Sequence, residues 1–360
     1  MKQLLGLLIA LPLFAWAQAN QEVAPWADPD LAVETAAEVA PPAPPPPAPT
    51  KATAFYTLPF HLRPTAAVNV VRLDNVLGQY DATGDKTKVR GGKGMKEVSI
   101  LNAGYKFAKD FGMLARIGVA NDFPDKDVSP NAKNGYALTN GLLFLTYAPS
   151  FMEGDIRTGF YLGVTAPIGS GGGTHGNTAA KAVNSGAGLV RSNMDGALFL
   201  VNDLAVIPGV DIAYVKYGLT LQLELTYLEI MRVRGADDKT IPATYQSDVT
   251  KRNFVGGLFV GYAFIPQLSA GVELRYQRWL KPPHAIRNLG DKDFPTYSQE
   301  TQDRYDTQIQ NMTAAVGLRG NFKIGDKTFF RPAISYAMGL VGQIADQKYH
   351  LIQLDLPFIL

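Results

Sequence analysis

The sequence contains no cysteine, which excludes disulfides, thiolate metal sites, a catalytic thiol and a lipid-bearing cysteine. Charge is also scarce: 18% of residues are Asp, Glu, Lys or Arg, against about 25% in an ordinary soluble protein. The net charge of +2 is too small for phosphate neutralisation to drive binding, and no basic cluster is interleaved with aromatics. Nucleic acid is therefore not an expected partner. The four histidines, His61, His175, His284 and His350, form no metal-spaced pair, and no metal or other cofactor is expected. Beyond the first residues no stretch reaches the roughly 18 apolar residues of a membrane helix. What the 360 residues do hold is 46% hydrophobic side chains, 35 Gly and 16 Tyr.

The chain opens on Lys2, an apolar run from Leu4 to Ala15, and small residues at Ala15/Ala17 and Ala17/Ala19. This pattern predicts a secretory signal peptide over residues 1–19, because the run is too short to anchor a spanning helix. Residues 20–50 turn to Ala, Pro and acid, with Glu22, Asp28, Asp30, Glu34 and Glu38 unaccompanied by any base, and close on a run of prolines. Such a segment favours polyproline II and cannot build a core. It reads as a periplasmic spacer, as a tether to a periplasmic or envelope protein partner, or as a plug for a basic lumen.

From about Ala66 the apolar residues recur with period two. Leu219, Leu221, Leu223, Leu225 and Tyr227 alternate with Thr220, Gln222, Glu224 and Thr226; Leu268, Ala270, Val272, Leu274 and Tyr276 alternate with Ser269, Gly271, Glu273, Arg275 and Gln277. About twelve such segments are expected, near residues 66–76, 96–108, 112–121, 136–148, 155–166, 203–215, 219–233, 252–264, 267–280, 307–323, 327–340 and 349–360. Short connections alternate with long polar ones, which is how bacterial outer-membrane barrels are built. In hydrocarbon every backbone amide must be paired, so a sheet can span a membrane only by closing on itself. Soluble sandwiches also alternate, with the oily face inward. The signal peptide, the length of the segments and the asymmetry of the loops favour the barrel.

The expected fold is therefore all-β: a transmembrane antiparallel up-and-down β-barrel of about twelve strands over residues 51–360, in outer-membrane lipid, with both termini periplasmic. Tyr105, Tyr147, Tyr227, Tyr262 and Tyr276, near segment ends, are expected in interfacial girdles.

The last strand, with Leu354, Leu356 and Phe358, resembles the C-terminal assembly signal of outer-membrane barrels, although Leu360 stands where Phe is usual. The stretch Gly163-Val-Thr-Ala-Pro-Ile-Gly169 and the closing Leu-Asp-Leu-Pro-Phe358 resemble the phenol-pathway and FadL-like outer-membrane transporter barrels. That resemblance implies an outer-membrane channel without naming its solute.

Chemistry-bearing motifs are few. GSGGGTHG over 169–176 lacks the Lys of a phosphate-binding loop and reads as a flexible external loop. The acids at Asp122, Asp125 and Asp127, or Asp237 and Asp238, lack the spacing of a calcium loop. No local Ser and His cluster invites hydrolysis, so no enzymatic activity is expected. The alternation instead points Arg116, Arg157, Glu224, Glu273, Arg275, Arg319, Arg331 and Asp355 into the lumen, with Gln222, Gln277, Asn311 and Asn321. Such groups either set the electrostatic barrier of a pore or pair with one another and fill the interior. The expected function is a porin-like channel for passive diffusion of small solutes. The alternative is a closed structural or assembly barrel, tethered to an envelope complex by the Pro-rich segment.

Overall fold

The computed structural model describes residues 56–83, 92–173, 176–235, 250–293 and 297–360. All lie in the second of two compact units, Ala54–Leu360. The first unit, Met1–Thr53, falls outside the described residues, and with it the expected signal peptide and spacer.

Twelve barrel strands follow one another around the wall. They are β1 (Val70–Asp81), β2 (Lys93–Lys106), β3 (Phe111–Pro124), β4 (in two pieces, Gly135–Leu138 and Gly141–Tyr147), β5 (Ile156–Ala166) and β6 (Asp203–Lys216). Then come β7 (Leu219–Arg232), β8 (Thr250–Ile265), β9 (Leu268–Lys281), β10 (Gln310–Gly320), β11 (Ala333–Gly342) and β12 (His350–Ile359). Each pairs antiparallel with the next, and β12 returns to β1, from Val70 opposite Ile359 to Gln79 opposite His350. No edge is left open, as a sheet in hydrocarbon requires.

The outer surface states the solvent. Leu73 on β1, Leu101 on β2, Leu145 on β4, Leu162 on β5, Leu223 on β7, Val316 on β10 and Leu354 on β12 are all exposed, and every other strand contributes large apolar side chains as well. Their inward neighbours, such as Thr220, Gln222, Glu224 and Thr226 on β7, are buried. An apolar belt of this size belongs in lipid, and the fold is a transmembrane barrel.

Tight connections share one rim, including Tyr217 and Gly218 between β6 and β7, whose φ angles of 52° and 82° suit a two-residue hairpin turn. The long connections share the other rim. On the short-turn rim Phe107, Phe111, Tyr147 and Phe160 form a row with successive centroids 6.4, 4.6 and 6.3 Å apart, and Tyr105 and Tyr262 stand exposed on the same side. Toward the long-loop rim the hydroxyls of Tyr227 and Tyr276 reach Glu229 and Gln310. An apolar ring with a wet tip suits the lipid–water boundary.

Several boundaries move, among them the end of β1 (Asp81 against 76) and the start of β11 (Ala333 against 327), and two starts move for a clear local reason. β1 starts at Val70 and not at residue 66, because residues 56–69 run inside the barrel before entering the wall. β10 starts at Gln310, because helix α2 (Gln299–Gln308), closed at its start by a Ser298/Thr301 capping box, takes up the preceding residues; α1 (Thr178–Val190), capped by Asn177, lies earlier, between β5 and β6. The inner wall also departs from uniform polarity. Toward the long-loop rim Val76, Val98, Ile100, Leu228 and Ile230 point inward and are buried against Val183, Ala187, Val190 and Leu198 of the β5–β6 connection. An inward apolar residue is stable there because the loop covers it, not lipid.

Inward aromatics are seated on glycines of the following strand. Phe144 lies on Gly163 and Tyr161 on Gly209, where any Cβ would run into the ring. Gly163→Ala is expected to destabilise the barrel by about 1–3 kcal/mol through overpacking. It would lower the temperature at which the folded, heat-modifiable species is lost on gel electrophoresis.

Candidate functional site: the occupied lumen

The lumen holds two inserts, one from each rim. Residues 56–69 form the first, on the short-turn side. Thr65 N–H donates to the Tyr56 hydroxyl (3.1 Å), so this stretch is a loop whose ends meet. Only at Asn69, whose carbonyl accepts from Leu360 N–H (2.9 Å), does it meet the ladder; residues 56–65 pair with no strand, and wall side chains satisfy their backbone instead. Glu273 accepts from Phe60 N–H (2.7 Å) and His61 N–H (3.1 Å), Glu224 from Arg63 N–H (2.6 Å), and Thr220 from Thr57 N–H (3.0 Å). Arg319 donates to the Leu58 and Pro59 carbonyls (3.1 and 3.0 Å), Arg331 to that of Tyr56 (2.7 Å), and Arg72 and Gln353 to that of Phe60 (2.6 and 3.0 Å).

The second insert comes from the long connection between β5 and β6. Gly171 and Gly173, with φ of 88° and 93°, turn the chain into α1. The glycine-rich stretch is thus an ordered approach to a helix as far as Gly173, while residues 174–175 lie outside the described residues. The wall opens to receive it: β4 breaks at Thr139 and Asn140, and the Asn140 amide donates to the Ala197 and Leu200 carbonyls (3.2 and 2.9 Å). Beyond α1, Arg191 is fully buried and pairs with Asp74 of β1 (2.8 Å) and Asp195 (2.8 Å); Asp195 also binds Arg116 of β3 through two bonds (2.5 and 2.9 Å).

The inward charges assigned from sequence divide between these inserts. Glu224, Glu273, Arg319 and Arg331 hold the short-turn insert directly, and Arg157 is half-buried 5.3 Å from the Tyr56 ring centre. Asp355 holds Arg319 (2.6 Å) and Arg72 (2.5 Å) in place. Arg116 binds the long-loop insert. Arg275 joins the two, donating to Glu273 (2.5 Å) and to Ser192 (3.4 Å). Asn321, by contrast, sits in the β10–β11 turn and donates to the Pro266 carbonyl (3.1 Å). Arg63, Arg72, Asp74, Arg191 and Asp195 were not singled out from sequence. Arg72 and Asp74 alternate with the outward Val71 and Leu73, and Arg191 and Asp195 are four apart, but neither spacing names a partner.

Where the inserts meet, His61 is buried with neither ring nitrogen hydrogen-bonded. Burial, then the fields of Arg191, Arg275, Arg72 and Arg116, push its pKa well below the ordinary value, so the ring is neutral. Burial alone would raise the Asp195 carboxyl, but Arg116 and Arg191 hold it below its ordinary 3.8. Its contribution to pinning the insert is complete above pH 3.8 and is lost as the pH falls through the depressed value. The closed state is therefore expected to persist unchanged from pH 7 to about pH 4.5. Insert release within that range, seen as pepsin cleavage between α1 and β6 at its upper acidic end, would contradict this.

No known family matches the sequence, and no curated protein does. Solved structures do. The COG4313 outer membrane channel from Pseudomonas putida F1 is 10% identical with a TM-score of 0.50, over 84% of this chain and 99% of that one. The fold is that of outer-membrane twelve-strand channels. The NanC porin is 9% identical over 80% of this chain and all of its own (TM-score 0.41). The KdgM porin in complex with oligogalacturonate is 10% identical over 80% and 98% (TM-score 0.39). The narrower likeness to phenol-pathway and FadL-like barrels finds no specific support among these structures.

Proposed function

We propose that the chain is an outer-membrane channel for small solutes, closed in this structure, with the two lumen inserts as its gates. The observation that carries the reading is how the short-turn insert is held. Residues 56–65 are bound by polar side chains of the wall through hydrogen bonds, with no strand pairing, and those side chains would be hydrated if the insert left. A barrel serving only as a scaffold needs no such wall; an apolar filling would do as well at a smaller desolvation cost. Once the inserts withdraw, Arg116, Arg157, Glu224, Glu273, Arg275, Arg319, Arg331 and Asp355 would line the path and set its selectivity for passively diffusing solutes. The reading places both termini in the periplasm, and assigns the chain no chemical step.

A second reading follows from the same filling: a permanently closed barrel that anchors an envelope complex, with residues 20–50 reaching a periplasmic partner. The two are separated by single-channel conductance of the folded protein in planar bilayers, with both inserts intact and with both released. Stepwise current on release supports the channel. Silence from a folded, heat-modifiable barrel with both inserts released would overturn it in favour of the scaffold.

A further inference from the structure

The short-turn insert places one side chain in a site built for it. The Arg63 guanidinium carbon lies 4.6 Å from the Phe144 ring centre and 4.7 Å from that of Tyr161, two rings packed edge to face at 5.7 Å. One of its nitrogens binds the Glu224 carboxylate and also donates to the Tyr161 and Thr226 hydroxyls (3.2 and 3.3 Å). Two aromatic faces, a carboxylate and two hydroxyls form a cage for a planar cation.

The cage also holds a second carboxyl group that Arg63 does not bind. Asp211 faces Glu224 directly across the β6–β7 ladder, an arrangement of like charges that a sheet does not favour. Asp211 is 1% exposed, and among the described residues it makes no hydrogen bond or ion pair; its Oδ1 is wholly enclosed. Its place is made by Gly159 on β5, where any Cβ would strike the carboxylate. A buried carboxylate without a partner is costly to keep. Asp211, Arg63, Phe144 and Tyr161 line one narrow open cleft, which runs to Gly104 and Gly112 beside the β2–β3 turn. The unpartnered carboxylate thus looks onto the approach to the cage.

The geometry points to a binding site for solutes bearing a guanidinium or similar flat organic cation, with Arg63 as the chain's own occupant, displaced when such a solute enters. Asp211 offers an incoming cation a second carboxyl group, which ionises against it by releasing its proton to solvent before Arg63 has left, so exchange does not pass through an empty cage. This rests on the channel reading only in taking the ligand for a transported solute; the binding itself does not require conduction.

Calorimetric titration of the full-length protein, folded in detergent, with methylguanidinium chloride tests the site. Arg63→Ala is expected to bind at least tenfold more tightly than the unaltered protein, and adding Asp211→Asn to remove at least that gain. Equal binding by the unaltered protein and Arg63→Ala would overturn the proposal. Arg63→Met, which keeps the packed stem, gives the same comparison if the alanine variant does not fold. The unaltered protein supplies a reading without substitution: methylguanidinium, and not equimolar sodium chloride, should speed chymotrypsin cleavage after Phe60 at least tenfold, and an equal rate in both salts counts against the site. A barrel that conducts when its inserts are released but shows no preference for methylguanidinium loses this proposal and keeps the channel reading. Binding without conduction keeps the site and removes the channel reading.

Discussion

Replacing residues 56–65 by a Gly/Ser run of equal length, together with Asp195→Ala, is expected to turn a silent barrel into a steadily conducting one. Either change alone should give only brief openings. The physical reason is that the inserts close different halves of the lumen by different means. The short-turn insert is held by side-chain hydrogen bonds to its backbone, from Glu273, Glu224, Arg319 and Arg331 among others. A Gly/Ser run of the same length keeps the chain connected but forfeits Tyr56, Phe60, Leu62 and Arg63, all of which fill space in the lumen, and a flexible coil gains entropy by leaving. The long-loop insert still covers Val76, Val98 and Ile230, so it must be unpinned separately. Continuous current from the Gly/Ser variant alone would show that the second insert is not a gate. Silence from the folded combined variant would remove the channel reading.

The second large effect is on the ionic belt. Asp195→Ala leaves Arg116 without its bidentate partner and Arg191 with Asp74 alone, both in a buried setting. Breaking a buried pair by removing one member costs about 3–5 kcal/mol, which is roughly a hundredfold to a few thousandfold in the population of the released insert. Trypsin should then cut after Arg191 in the folded barrel at a rate raised by at least about a hundredfold. Asp195→Asn, which keeps the shape and can still accept from one guanidinium, should show a smaller increase. An unchanged rate for Asp195→Ala would mean that apolar packing around Val183, Ala187 and Val190 holds the insert without the belt.

Both effects concern the interior, which was only partly legible in the sequence. The alternation of Thr220, Gln222, Glu224 and Thr226 with outward leucines places Glu224 inside the barrel, yet nothing in β7 tells that its partner is Arg63, 161 residues earlier. Glu273 lies 213 residues from Phe60, whose N–H it accepts. The inward run of Val76, Val98, Leu228 and Ile230 also defeats a simple rule of polar lumen and oily exterior. Those residues keep the period of two, but their cover is α1 and the chain that follows it, which the glycine-rich start of that loop does not announce.

By itself the sequence determined that about twelve strands alternate, the face each presents to lipid, and the division of connections into a short-turn and a long-loop rim. Those features are local: the backbone alternates every residue, hydrocarbon tolerates no unpaired amide, and a turn of two residues can join only neighbouring antiparallel strands. Only the tertiary structure decided what fills the lumen. Closing the barrel brings β1 against β12 and sets residues 56–69 and the β5–β6 connection among walls drawn from the whole chain. Which carboxylate meets which arginine, that Arg63 enters an aromatic cage, and that Asp211 makes no ion pair among the described residues depend on contacts between distant residues, for which a one-dimensional period carries no signal.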